Sequence, residues 1–176
     1  MNKRKSKISH LFPFMLIMFG GLILLGVLGY GYCIHIITNP NPAPLPETIA
    51  ELSLQTHVFG AQAVDEINRL HSLEFPLSSG AVGIYGAQGQ ITVWVSGTPT
   101  KSRAARLTSD MEMRIAEGNS PFTPLGTRDD EERLIYELDG LGQKHFYFQS
   151  GKLLIWFAAD HDIAEEVLVE TLKFYP

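Results

Sequence analysis

The chain has 176 residues, 45% of them hydrophobic, with 14 basic against 19 acidic residues. Lys3, Arg4, Lys5 and Lys7 precede a long uncharged run and every acidic residue follows Pro46, which leaves ten basic against 19 acidic residues beyond the run, a net of −9. A surface that acidic argues against nucleic acid and against adhesion to anionic lipid, and the single cysteine, Cys33, excludes a disulfide framework, a Cys-x-x-Cys redox pair and covalent haem attachment.

From Leu11 to Thr38 no residue is charged. A bilayer core of about 30 Å needs roughly 20 helical residues, so the run predicts a membrane-spanning helix with length to spare for tilt. Tyr30 and Tyr32 suit its far interface. A cleaved signal would have a shorter apolar core and a small-x-small site, which Ile36-Ile37-Thr38-Asn39-Pro40 does not supply. Tyr30-Gly31-Tyr32 is too bulky for a lipid-attachment site at Cys33. The basic flank places residues 1–10 in the cytoplasm, 11–38 as an uncleaved signal-anchor, and everything after it outside.

Residues 39–46, Asn39-Pro40-Asn41-Pro42-Ala43-Pro44-Leu45-Pro46, read as a stiff polyproline spacer that holds a domain about 25 Å away at most. Residues 47–176 are then an extracytoplasmic domain, able to fold alone on a patterned core. Ile49, Ala50, Leu52 and Leu54 predict a first helix, and Ala63, Val64, Ile67 and Leu70 a second over 61–72. Glu74-Phe75-Pro76-Leu77-Ser78-Ser79-Gly80 reads as loop or edge strand.

Strands follow at 81–85 and 91–96 around Gly86-Ala87-Gln88-Gly89, with Ile91, Val93 and Val95 on one face and Trp94 on the other. A helix over 101–117 buries Ala104, Leu107, Met111 and Ile115 and is closed by Gly118 and Asn119. Residues 120–126 read as irregular chain with room for a short strand, and 133–138 as a strand before an Asp139-Gly140-Leu141-Gly142 turn. Strands at 144–149 and 152–158 are predicted to turn at Ser150-Gly151, pairing Phe148 with Leu153, Phe146 with Ile155, Tyr147 with Leu154 and His145 with Trp156. Both faces of that hairpin are apolar, the mark of central strands. A closing helix over 161–174 turns Ile163, Ala164, Val167, Leu168 and Leu172 inward. The fold class is α+β: an N-terminal transmembrane helix, then a two-layer domain with a mostly antiparallel sheet of about five strands and helices packed against it.

No convergent catalytic or nucleotide motif stands out. Asp160-His161-Asp162, with Glu165 and Glu166 nearby, has the residue types of a metal site, but Asp162 and Glu165 have capping-box spacing and read as helix caps. Lys101, Arg103 and Arg106 crowd the start of a helix, where cations are unfavourable, and so become candidate contacts for an anion or an acidic partner. Arg106 also has i, i+4 spacing to Asp110. Trp94, His145, Tyr147 and Trp156 are candidate pocket residues. Asp129-Asp130-Glu131-Glu132 reads as an acidic loop, with docking of a basic partner as its functional reading.

These features predict a single-pass, non-enzymatic protein without metal or cofactor. The bilayer is contacted through Leu11–Thr38, and the outer domain binds or positions a membrane or extracytoplasmic protein partner, not nucleic acid. A small-ligand or lipid-binding module is the runner-up, and an enzyme comes third. A large apolar cavity would favour the runner-up, and a contiguous exposed patch the first.

Overall fold

The computed structural model describes residues 11–71, 75–118, 120–130 and 133–176. The basic N-terminus with Lys3, Arg4, Lys5 and Lys7 lies outside the described residues, as do Glu74, Asn119, Glu131 and Glu132. The chain divides into two units, Met1–His35 and Ile36–Pro176. Helix α1, Leu11–Thr38, is long and apolar enough to cross a membrane. Its apolar side chains are exposed at successive positions from Phe12 to Met18 and again from Leu22 to Leu25, so every side of the helix is apolar. A helix of that kind calls for lipid or a protein core around it.

The second unit runs β1 (Asn41–Pro42), β2 (Thr48–Ile49), β3 (Leu52–Phe59), α2 (Gly60–His71), β4 (Ser79–Tyr85), β5 (Ile91–Gly97), α3 (Lys101–Ala116), β6 (Thr123–Asp130), β7 (Arg133–Gly140), β8 (Gln143–Ser150), β9 (Leu153–Ala159) and α4 (Ala164–Phe174). The strands make one sheet in the order β2-β3-β4-β5-β9-β8-β7-β6, antiparallel throughout except for a two-residue parallel bridge from β1 to β4. The α+β class holds, but the sheet has nine strands rather than about five.

The extra strands come from three places. The helix expected near residue 49 is instead the β2–β3 hairpin, turning through Ala50 and Glu51, both at positive φ. That is the backbone of a mirror-image hairpin turn, made here without glycine. The irregular stretch before residue 126 opens β6, an edge strand, where Pro124 and a register break at Gly126 are tolerated. The third is β1, inside the segment expected to be a spacer. Asn41 and Pro42 pair with Ser79 and Gly80, Ala43 is buried, and the carbonyls of Pro44 and Pro46 accept the hydroxyls of Tyr175 and Tyr85 at 2.8 Å. Burial pushes both phenols well above their ordinary range. Residues 41–46 therefore belong to the folded unit, and a fragment starting at residue 47 would leave two buried hydroxyls without acceptors.

Side-chain alternation sorts the core onto two faces. Ala81, Tyr85, Ile91, Val93, Val95, Phe146, Phe148, Ile155 and Phe157 pack with Ala164, Val167 and Leu168 of α4. On the other face Val82 packs with Ala63, Val64 and Ile67 of α2, while Leu138, Tyr147 and Leu154 pack with Met111 and Ile115 of α3. Helices thus cover both faces, giving three layers rather than two. The cause is visible in β8 and β9: both of their faces are apolar, and each needs a cover.

The β8–β9 turn is Gly151-Lys152, not Ser150-Gly151. It pairs Phe148 with Ile155, Phe146 with Phe157, Tyr147 with Trp156 and His145 with Ala158. Gly151 sits at φ 58, the first turn position, where a type II′ turn wants glycine. The expected register was two residues out. An even shift leaves every side chain on its assigned face.

Candidate functional site

One row of side chains crosses the sheet on the α3 face. Registry sets Trp94 of β5 beside Trp156 of β9, Trp156 beside Tyr147 of β8, and Tyr147 beside Tyr136 of β7. Tyr136 and Tyr147 stack at 4.4 Å and Tyr147 and Trp156 at 5.1 Å, each pair nearly parallel. The Trp156 indole N–H donates to Nδ1 of His145 at 3.1 Å, which leaves the imidazole proton on Nε2, 3.0 Å from the Gly140 carbonyl. Phe122 closes over His145 and Trp156 with centroids 4.7 and 5.1 Å away.

The structure therefore brings Trp94, His145, Tyr147 and Trp156 onto one face, as the pocket reading requires. It packs two of them as core, with Tyr147 and His145 1% and 3% exposed, and leaves Trp94 and Trp156 partly buried. Burial lowers the His145 pKa, against smaller upward pulls from the Gly140 carbonyl and Asp139. Trp94 lies against the α2 side, its buried indole nitrogen unpartnered among the described residues.

An open concavity of about 1200 Å³ lies at one end of the sheet. The first turns of α3, the β6–β7 and β8–β9 ends and the last turn of α4 form its walls. Arg133 fixes one wall. Its Nη1 donates to the carbonyls of Leu172 at 3.0 Å and Tyr175 at 2.7 Å, its Nη2 to Asp130, and its guanidinium lies 5.8 Å from the centre of the Phe148 ring. It thus binds the carbonyls at the α4 C-terminus, where a cation is favoured. On the other wall the Tyr136 hydroxyl donates to Glu112 at 3.0 Å, and burial, then that carboxylate, push the phenol up to about 12. Gln149 holds α3 to β8 through the Lys101 carbonyl at 3.1 Å.

Two kinds of group remain available in the groove. Leu134 and Val169 are apolar and 41% and 51% exposed. Lys101 and Lys173 are exposed and make no ion pair among the described residues.

The basic cluster read from sequence is only partly gathered. Lys101 lines the groove, whereas Arg103 is exposed and does not line it. Arg106 sits 4.0 Å from Asp110 with 84% of its side chain exposed. Thr100 caps α3, accepting from the Arg103 N–H at 3.3 Å.

Asp160-His161-Asp162 is dispersed rather than gathered. Ile163 occupies the α4 cap position with no side-chain bond, so neither aspartate caps that helix. Asp160 accepts from Gln143 at 2.9 Å, and His161 lies 2.8 Å from Asp139. Among the described residues no three His, Cys, Asp or Glu converge on a position able to hold a metal.

Glu165 instead takes a two-pronged bond from Arg128, at 2.8 and 3.0 Å, and one from Lys144 at 3.0 Å. Arg128, then Lys144, hold its carboxyl down at about 2. This ion group ties α4 to the sheet above Phe146. Asp129 and Asp130, expected in an acidic loop, instead end strand β6, and Asp130 is committed to Arg133.

Sequence reasoning missed the groove, including Glu112, Arg133, Leu134, Val169 and Lys173. Its parts come from four separate segments, each unremarkable alone. Comparison with protein-family models, curated proteins and solved structures finds no match to the chain.

Proposed function

We propose that this chain is a single-pass membrane protein, N-terminus in the cytoplasm, whose second unit lies outside and binds or positions a partner protein at the membrane. The observation that carries the reading is the open groove, whose lining includes the exposed apolar residues Leu134 and Val169 and the available cations Lys101 and Lys173. That combination fits an extended segment carrying both apolar and acidic side chains.

The groove's other charged groups are engaged with one another or with the fold: Asp130 with Arg133, and Glu112 with Tyr136. This favours docking over proton-transfer chemistry. Small-ligand sites bury roughly 70–90% of their ligand, so an open groove suits an extended segment better than a small molecule. Of the candidate pocket residues, Tyr147 and His145 are packed in the core, which leaves Trp94 and Trp156 as the partly exposed members of the set.

Two experiments test the reading. In intact cells, protease added from outside should digest the second unit and leave α1 in the membrane; protection of the second unit, or its release as a soluble form beginning near Asn39, would refute the topology. For the groove, full-length chain is cross-linked in membranes, solubilised and purified with its partner. Lys101→Glu combined with Lys173→Glu should lower partner recovery about tenfold, a loss of about 1.4 kcal/mol. Arg106→Glu, outside the groove, should not. Equal recovery from all three proteins would remove the groove as the docking site.

A further inference from the structure

The sheet has two outer edges, and the chain treats them differently. β6 carries the devices that natural sheets use against edge-to-edge pairing: Pro124, a register break before Gly126, and the charges Arg128, Asp129 and Asp130. At the other edge β2 covers only Leu52 and Ser53 of β3, plus one bond from the Leu54 N–H to the Glu47 carbonyl. Beyond that point Gln55, Thr56, His57, Val58 and Phe59 have a strand on one side only, β4, among the described residues. The run has no proline and no charge. Its register break lies at Gln55, and Thr56, His57, Val58 and Phe59 then run regularly against Ile84, Gly83, Val82 and Ala81. Thr56, His57 and Phe59 are exposed.

We infer that this edge pairs, antiparallel and about a two-fold axis, with the same strand of a second copy of the chain. Charge limits where two copies can meet. Beyond α1 the chain carries ten basic against 19 acidic residues, so two copies repel one another over most of their surface. The open run of β3 is a place where neutral strand meets neutral strand. Pairing through β6 would bring Asp129 and Asp130 close to their own copies, and like charges across a strand pair are destabilising.

Edge count fits a second copy. A single open edge pairs once and leaves the guarded β6 at both outer ends, so the assembly closes at two and does not grow into a filament. A five-residue pairing buries well below the roughly 1,200–2,000 Å² of a stable complex. Affinity between free domains is therefore low, and confinement to one bilayer supplies the effective concentration. That last step rests on the membrane-anchored reading; the edge argument does not.

The test uses full-length chain in its membrane, with Cys33→Ser as background and a short bis-maleimide as cross-linker. Thr56→Cys should give a species of twice the chain mass. Thr127→Cys on β6 should give at least about fivefold less. Adding His57→Glu to Thr56→Cys, which sets like charges at the junction, should abolish the product while circular dichroism stays unchanged. Equal yields from Thr56→Cys and Thr127→Cys would mean collision rather than pairing and would overturn the inference. An adduct of Thr56→Cys with a protein of different mass, or monomer alone, would overturn it as well. If the chain is recovered outside the membrane, the anchored reading fails instead, and the same three variants at raised protein concentration still decide the strand pairing.

Discussion

Truncating Phe148 to Ala is expected to cost about 3–5 kcal/mol of stability, the range for removing a large side chain from a core that cannot fully collapse. Phe148 is fully buried on β8, between Ile135 of β7 and Ile155 of β9, in the core closed by α4. Its loss also takes away the ring beneath Arg133, the residue that binds the last carbonyls of α4. A domain stable by about 5–15 kcal/mol has little margin for this. Urea unfolding of a fragment covering residues 39–176 should show the variant far less stable or failing to accumulate. Asp130→Ala gives the scale. Read from sequence, Asp130 is a loop acid whose loss changes stability by less than about 0.5 kcal/mol. Its bond to Arg133 raises the expectation to about 1 kcal/mol. A Phe148→Ala protein that unfolds like its parent would mean that β8 is not the buried central strand described.

What was legible in the sequence follows from where local chemistry and global packing agree. The β4–β5 and β8–β9 hairpins announce themselves by alternation and glycine, and α3 by its stripe, by Thr100 before it and by Gly118 after it. Face assignment in β8 and β9 survived a misplaced turn because the error was even. The failures have equally local causes. Ala50 and Glu51 make a hairpin turn without the glycine or asparagine that signals one, so Leu52 and Leu54 looked like a helix face. Pro124 and Gly126 hid β6 because edge strands accept what central strands reject. Proline's fixed φ suits a free polyproline arm and an extended strand equally well, so only the partners of Pro44 and Pro46 reveal that residues 41–46 are packed. The groove was illegible for another reason: Lys101, Leu134, Val169 and Lys173 meet only through the three-layer arrangement, and no spacing in the chain records that.

The seam beneath α3 should make the domain acid-sensitive. His145 accepts the Trp156 N–H at Nδ1, and its own Nε2–H faces the Gly140 carbonyl. Protonation puts a second N–H on the ring, aimed at the indole N–H: two donors and no acceptor. Burial lowers the pKa below the ordinary 6.5, outweighing the Gly140 carbonyl and Asp139. The unfolded chain therefore takes up a proton at a pH where the folded chain is still neutral. Stability from this group is complete above about 6.5, falls as the pH drops below it, and levels off once the native imidazole titrates. Glu165 acts in a lower window: its carboxyl is depressed from 4.5 to about 2 by Arg128 and then Lys144, so its contribution is lost between those values. The two effects are thus separable in a melting series from pH 7.5 to pH 2. His145→Phe tests the assignment. It strands the Trp156 N–H and the Gly140 carbonyl, costing about 1–3 kcal/mol for each at neutral pH, yet it should flatten the slope between pH 7 and pH 5. Parallel slopes for parent and variant would show that His145 is not the acid sensor. The consequence reaches the groove, because Trp156 and Tyr147 stack in series onto Tyr136, whose hydroxyl holds Glu112 on the groove wall. Acid that loosens the His145 end should therefore reduce partner recovery in parent chain, and do so less in His145→Phe.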